Sequence, residues 1–129
     1  MKVLVDTSVW SLALRRKIEL PIAAKLQELI EASQVVLIGP IRQELLSGIA
    51  EKSVFQRLRS MLEVFDDLPI EPNDYTTAAE YYNLCRQQGV QGSQTDFLIC
   101  SLAVKHKLIV FTTDQDFTRY ASILPLTLL

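Results

Sequence analysis

Four carboxylates stand where a carboxylate can do chemistry rather than only face water. Asp6 directly follows the aliphatic run Val3-Leu4-Val5, and Glu44 lies about one helical turn into the segment after Val35–Ile38. Asp96 opens the apolar stretch Phe97–Val104, and Asp114 follows Leu108–Phe111 and two threonines. Each has an ordinary explanation. An acid after a strand is often a turn former or a helix cap, and a glutamate on a helix is normally solvated. Their conjunction is the stronger signal. Ligands of parallel α/β sheets bind beyond the carboxyl ends of the strands. Four carboxylates gathered there would repel one another unless a cation lay among them. An all-oxygen set with no His or Cys selects a hard ion, Mg²⁺ or Mn²⁺, over zinc. Such sites activate water and stabilise the leaving oxygen in phosphodiester cleavage.

The elements that must position these acids can be read from hydrophobic spacing. Lys2–Val5, Val35–Ile38 and Leu108–Phe111 are short apolar runs suited to buried strands, each stopped by polar residues or by Gly39-Pro40. Val64–Ile70 is a weaker strand candidate, and Leu124–Leu128 a final one that Pro125 assigns to a sheet edge. Helical spacing recurs between them, at Val9, Leu12 and Ala13, and again from Pro21 through Ile22, Leu26, Leu29 and Ile30. A further helix should carry Ile41, Leu45 and Leu46 and close near Gly48, with another over Glu51–Leu62. Asn73 is a suitable cap for a helix through Gln88, with Gly89 as its stop and Gln87–Gln94 as a polar connector. Phe97–Val104 is apolar nearly all round, which predicts a central, buried helix. Strands alternating with helices predict an α/β fold, a three-layer α/β/α sandwich around a mainly parallel sheet.

Composition sets the outer bounds. With 129 residues, 49% hydrophobic and 22% charged, the chain can bury an adequate core as one domain over residues 1–129. Gly and Pro are few, which excludes disordered and low-complexity classes. Cys85 and Cys100 lie in apolar helical stripes and read as buried thiols of a reducing, cytoplasmic compartment. No apolar stretch is long enough to cross a membrane, and Asp6 interrupts the N-terminus before a signal-peptide core forms. The net charge of -2 lowers the prior for a nucleic-acid binder. That balance shifts if the four acids belong to a metal site, since eleven acids then face thirteen bases. Arg15-Arg16-Lys17 and Lys105-His106-Lys107 are candidate phosphate contacts, although cations at helix C-termini also complement the dipole. Arg42 reads as an exposed helix residue, and Trp10, Tyr81 and Tyr82 as core or interface rather than base-stacking residues. A single histidine, His106, excludes a metal-free mechanism built on a histidine pair.

In order, Asp6-Thr7-Ser8, Glu44-Leu45-Leu46-Ser47-Gly48, Thr95-Asp96-Phe97-Leu98-Ile99 and Thr112-Thr113-Asp114-Gln115-Asp116-Phe117 resemble the signature of PIN-domain ribonucleases. The likeness is greatest to the small VapC-type toxins of bacterial type II toxin–antitoxin pairs and runs from residue 2 to about residue 120. The resemblance implies a Mg²⁺-dependent endoribonuclease, with Mn²⁺ as a substitute, whose metal-activated water leaves a 5′-phosphate and a 3′-hydroxyl. It implies Asp6 and Asp96 as direct ligands, with Glu44 and Asp114 completing the site as ligands or water orienters. Thr7 and Thr112 match positions that hydrogen-bond the carboxylates, and Asp116 the second acid of the T-x-D-x-D-F segment. It also implies an RNA substrate, a homodimer and a cognate antitoxin, the apolar excess of Leu12, Leu14, Ile18 and Leu20 agreeing with an interface.

Rival phosphate-handling classes fail on residues. A haloacid-dehalogenase-type phosphatase needs D-x-D after its first strand, but Asp6 is followed by Thr7-Ser8. A response-regulator receiver needs a phosphoacceptor after the middle strand, and no Asp follows Val35–Ile38 there. No P-loop motif occurs. The remaining alternative is a PIN-fold module that binds RNA or a protein without cutting.

Overall fold

A computed structural model describes residues 1–15 and 20–129 of the chain. The elements run β1 (Val3–Val5), α1 (Thr7–Arg15), α2 (Pro21–Glu31), β2 (Val35–Val36), α3 (Gly39–Leu46), α4 (Lys52–Leu62) and α5 (Pro72–Gln87). They continue with α6 (Gln94–His106), β3 (Ile109–Phe111), α7 (Asp116–Ala121) and β4 (Thr127–Leu128). The strands form one sheet in the order β2-β1-β3-β4, and all three ladders are parallel. Val3, Leu4 and Val5 are each fully buried. Because successive strand residues face opposite sides, both faces of the central strand must be covered by helices, as a three-layer sandwich requires. The edge position of β4 agrees with Pro125 just before it.

Register explains how the first and last acidic segments meet. Val5 of β1 lies beside Phe111 of β3, so the next residues, Asp6 and Thr112, emerge together at the carboxyl end. The chain moves from β1 outward to β2, then crosses to β3 on the other side of β1. That reversal is a topological switch point, where parallel α/β sheets leave a crevice for ligands.

Helix α6 is central, with every residue from Phe97 to Ala103 buried, as its all-round apolar sequence predicts. It ends at Lys107, in the left-handed conformation at φ 55, so its stop carries no glycine signal in the sequence. Gly48 and Gly89, the stops that the sequence does show, have φ of +84 and +79. Cys85 and Cys100 are both buried free thiols. No helix among the described residues is long and apolar enough to cross a membrane.

Three expectations require correction. Val64–Ile70 forms no strand, and only Leu37 and Asp67 make an isolated parallel bridge. Pro69 removes a ladder donor there. Arg42 holds the segment in another way, donating to Asp67 Oδ1 at 3.0 Å, to the Leu62 carbonyl at 3.0 Å and to the Phe65 carbonyl at 2.7 Å. Arg42 is thus a half-buried clamp and not a solvated helix residue. Asn73 does not cap α5. The helix starts at Pro72, whose fixed φ suits a first turn, and Asp74 accepts the Glu71 N–H at 2.8 Å. Finally, the short helix α7 was not foreseen.

Candidate active site

Asp6 is nearly buried, at 7% exposure, and its Oδ2 accepts two hydroxyl hydrogen bonds. Ser8 Oγ donates at 2.8 Å and Thr112 Oγ1 at 2.9 Å. Each hydroxyl has one hydrogen and spends it there, so both turn lone pairs outward. The Thr112 oxygen takes the Asp114 N–H at 3.0 Å, and the Ser8 oxygen takes the Thr113 N–H at 3.0 Å. The two loops leaving β1 and β3 are thereby locked around one carboxylate. Thr7 donates to Glu44 Oε2 at 2.8 Å, fixing the exposed Glu44 of α3 beside the Asp6 segment. Glu44 also shares a groove with Gln43, Ser47 and Thr95, next to Asp96.

Asp96 lies in the first turn of α6, yet the helix does not depend on its side chain for a cap. Ser93 does that work, its hydroxyl accepting the Asp96 N–H at 3.1 Å. The Asp96 carboxylate is half-buried and accepts the Tyr120 hydroxyl at 2.7 Å. Burial raises its pKa above the ordinary value. The hydrogen bond from Tyr120 opposes this, and the fields of Asp6 and Asp114 push it up further. Both acids thus act on Asp96 although they come from different segments. Burial and the bond to Asp96 push the Tyr120 phenol far up, so it acts as a neutral donor.

Asp114 has two duties. Its Oδ1 accepts the Asp116 N–H at 2.9 Å, opening α7, while its charge reaches Asp96. Asp116 lies 3.5 Å from Arg119 on its own helix, and its charge, like that of Asp114, is felt at the Tyr120 hydroxyl. Arg15 ends α1 with its side chain outside the described residues, and Arg16 and Lys17 also lie outside them. Lys105 is held at the far end of α6 by Asp74 at 3.1 Å and Glu71 at 3.5 Å. Trp10 is a core residue at 2% exposure, edge-on to Phe65, and cannot stack a base. Ser8 and Tyr120 are the site partners that sequence reasoning missed. Ser8 was visible within the D-T-S tripeptide, whereas nothing local links Tyr120 to Asp96.

The donor chemistry fits a hard divalent cation. Asp6, Glu44, Asp96 and Asp114 each have one oxygen held by a hydroxyl or backbone donor. The other oxygen of each has no hydrogen-bond partner among the described residues, which is how orienting partners leave a ligand ready. No three His, Cys, Asp or Glu side chains among the described residues stand close enough to chelate one ion together.

A parallel α/β sandwich with hydroxyl-held carboxylates at its switch point defines a class of acidic-site α/β proteins suited to phosphodiester chemistry. Within that class, the chain belongs to the PIN domain family, whose model matches residues 3–123. Among curated relatives, the chain is similar to ribonuclease VapC11 of Mycobacterium tuberculosis and VapC ribonuclease Mb1587 of Mycobacterium bovis. Each is 29% identical over 125 residues, covering 94% of this chain and 92% of the relative. Among solved structures, FitAcB from Neisseria gonorrhoeae superposes with a TM-score of 0.80 at 23% identity, covering 98% of this chain and 96% of the other. VapBC2 from Rickettsia felis, bound to a promoter DNA fragment, gives a TM-score of 0.79 at 18% identity, with 100% and 98% covered.

Proposed function

We propose that the chain is an endoribonuclease of the VapC type, the toxin of a toxin–antitoxin pair. The observation that carries this reading is the set of carboxylates held by hydroxyls from other segments, Asp6 by Thr112, Asp96 by Tyr120 and Glu44 by Thr7, with Asp6 and Thr112 leaving neighbouring strands side by side. The curated relatives, both named ribonucleases, support it. Asp6 and Asp96 would hold a divalent cation, Mg²⁺ or Mn²⁺, with Glu44 and Asp114 completing its surroundings. When bound, the ion supplies a water of lowered pKa and stabilises charge on a reacting phosphoryl group. The chain's own residues supply orientation. Thr112 and Ser8 fix the Asp6 carboxylate, and Thr7 fixes Glu44. Asp116, in the first turn of α7, would act from behind this set, its charge reaching the Tyr120 that holds Asp96.

The reading takes residues 1–129 as one catalytic domain acting in the cytoplasm, where Cys85 and Cys100 remain reduced. An antitoxin would dock in the apolar groove between α1, α3 and α4, lined by Leu14, Leu45, Ile49, Leu58 and Met61 and reaching Glu44. The similar structures of VapBC and FitAB complexes support such a partner. A homodimer completes the assembly, with the exposed Tyr75 and Leu84 of α5 available to a second copy.

End analysis of RNA products tests the reaction. Fragments made in Mg²⁺ or Mn²⁺ should carry 5′-phosphates and 3′-hydroxyls, and a chelator should stop their formation. Products ending in 2′,3′-cyclic phosphate, or undiminished cleavage with chelator present, would contradict it.

A further inference from the structure

Gly92, in the connector between α5 and α6, is not needed for its backbone conformation. Its φ lies outside the positive range, unlike that of Gly48 and Gly89. What it supplies is space. A Cβ built on Gly92 would overlap the Tyr120 hydroxyl and lie 2.6 Å from Cζ and 2.9 Å from Cε1 of that ring. The ring has little room to yield. Tyr120 is 0% exposed and packs against Phe97 at 4.8 Å and Phe117 at 5.1 Å between centroids. A phenylalanine would fill the same core without burying a polar oxygen, so packing alone does not explain the hydroxyl. Its one side-chain partner is Asp96 Oδ2, at 2.7 Å.

Tyr120 also belongs to α7, the helix that Asp114 opens by accepting the Asp116 N–H. A single path through α7 therefore joins Asp114 to Asp96. We propose that Tyr120 is a positioning residue that sets Asp96 against Asp114 for a divalent cation, in the space that Gly92 leaves open. The proposal rests on the metal-dependent reading above. The hydroxyl holds Oδ2 and leaves Oδ1 as the ligand atom. Without it the carboxylate can turn about its last bond, and its spacing from Asp114 is no longer set.

Mn²⁺ binding by electron paramagnetic resonance, on the metal-free chain and its variants, tests this. Tyr120→Phe keeps the ring and should weaken Mn²⁺ binding about tenfold or more, the size of effect typical of outer partners of a metal site. Circular dichroism should remain that of the parent, and with RNA the loss should fall on kcat rather than KM. Gly92→Ala crowds the same hydroxyl without changing its chemistry, and should also weaken binding. A parent-like Mn²⁺ affinity in a folded Tyr120→Phe chain would overturn the proposal, even if its melting temperature fell, because the tyrosine would then be only core. Should Tyr120→Phe fail to fold, parent-like affinity in Gly92→Ala would overturn it. A parent that binds no Mn²⁺ removes the metal reading itself, and this proposal with it.

Discussion

Asp96 is the residue under most conflict. Burial and the charges of Asp6 and Asp114 penalise its ionised form, while the Tyr120 hydroxyl supports it. A carboxyl whose folded pKa is raised above 3.8 favours the native state at low pH, and that advantage is lost as pH rises through the folded value. Asp96→Asn removes the penalty. Metal-free Asp96→Asn should therefore melt at or above the parent temperature at pH 7, with the gap closing below pH 3.8. Its cleavage should nonetheless fall beyond the ~10–100-fold typical of losing an outer partner. A marked drop in metal-free melting temperature, or retained cleavage, would remove Asp96 from the site. The acids themselves were legible in the sequence because each sits near the boundary of an apolar run, Asp6 and Asp114 after one and Asp96 before one, with Glu44 a turn into the helix that follows another. Of their partners, Thr7 and Thr112 were implied by the resemblance, but Tyr120, which holds Asp96 from 24 positions away, leaves no local trace.

The elements that carry the acids depend on ordinary helix chemistry that can be tested separately. Ser93 caps α6, so Ser93→Ala should cost about 1 kcal/mol of stability by urea denaturation. An unchanged midpoint would mean that another group satisfies the first turn. Helices α5 and α6 are tied by buried Asp74, whose pKa is lowered mainly by the Glu71 backbone N–H, with help from Lys105 against the cost of burial. A lowered carboxyl pKa gives stability that is present above the unfolded value of 3.8 and lost as pH falls through the folded one. Asp74→Asn should thus melt below the parent at pH 7, with the two curves converging in acid. A gap that does not depend on pH would assign the loss to packing instead. The strong strands and the apolar α6 were legible from pattern because burial dictates their composition. Val64–Ile70 forms no strand because Arg42, from a distant helix, holds Asp67 and two nearby carbonyls, which a short, mostly apolar run cannot reveal. Helix α7 was missed because its start lies inside the acidic segment, and only Phe117 and Tyr120, spaced one turn apart, mark its buried side.

For the whole molecule, the arrangement of charge matters more than its total. The sequence carries fifteen acids and thirteen basic residues, an unpromising balance for a partner of RNA. Four of those acids lie at the sheet's carboxyl end, around a crevice that the order β2-β1-β3-β4 creates between β1 and β3. A cation there would neutralise part of that charge. The central claim is that this crevice is a divalent-metal site, and thermal melting in rising Mn²⁺ tests it most directly, since a ligand of the native state alone must raise the melting temperature. The parent should melt progressively higher as Mn²⁺ increases to millimolar levels, while folded Asp6→Asn should barely respond. A parent curve that does not move, or an Asp6→Asn curve that climbs equally, would contradict the account.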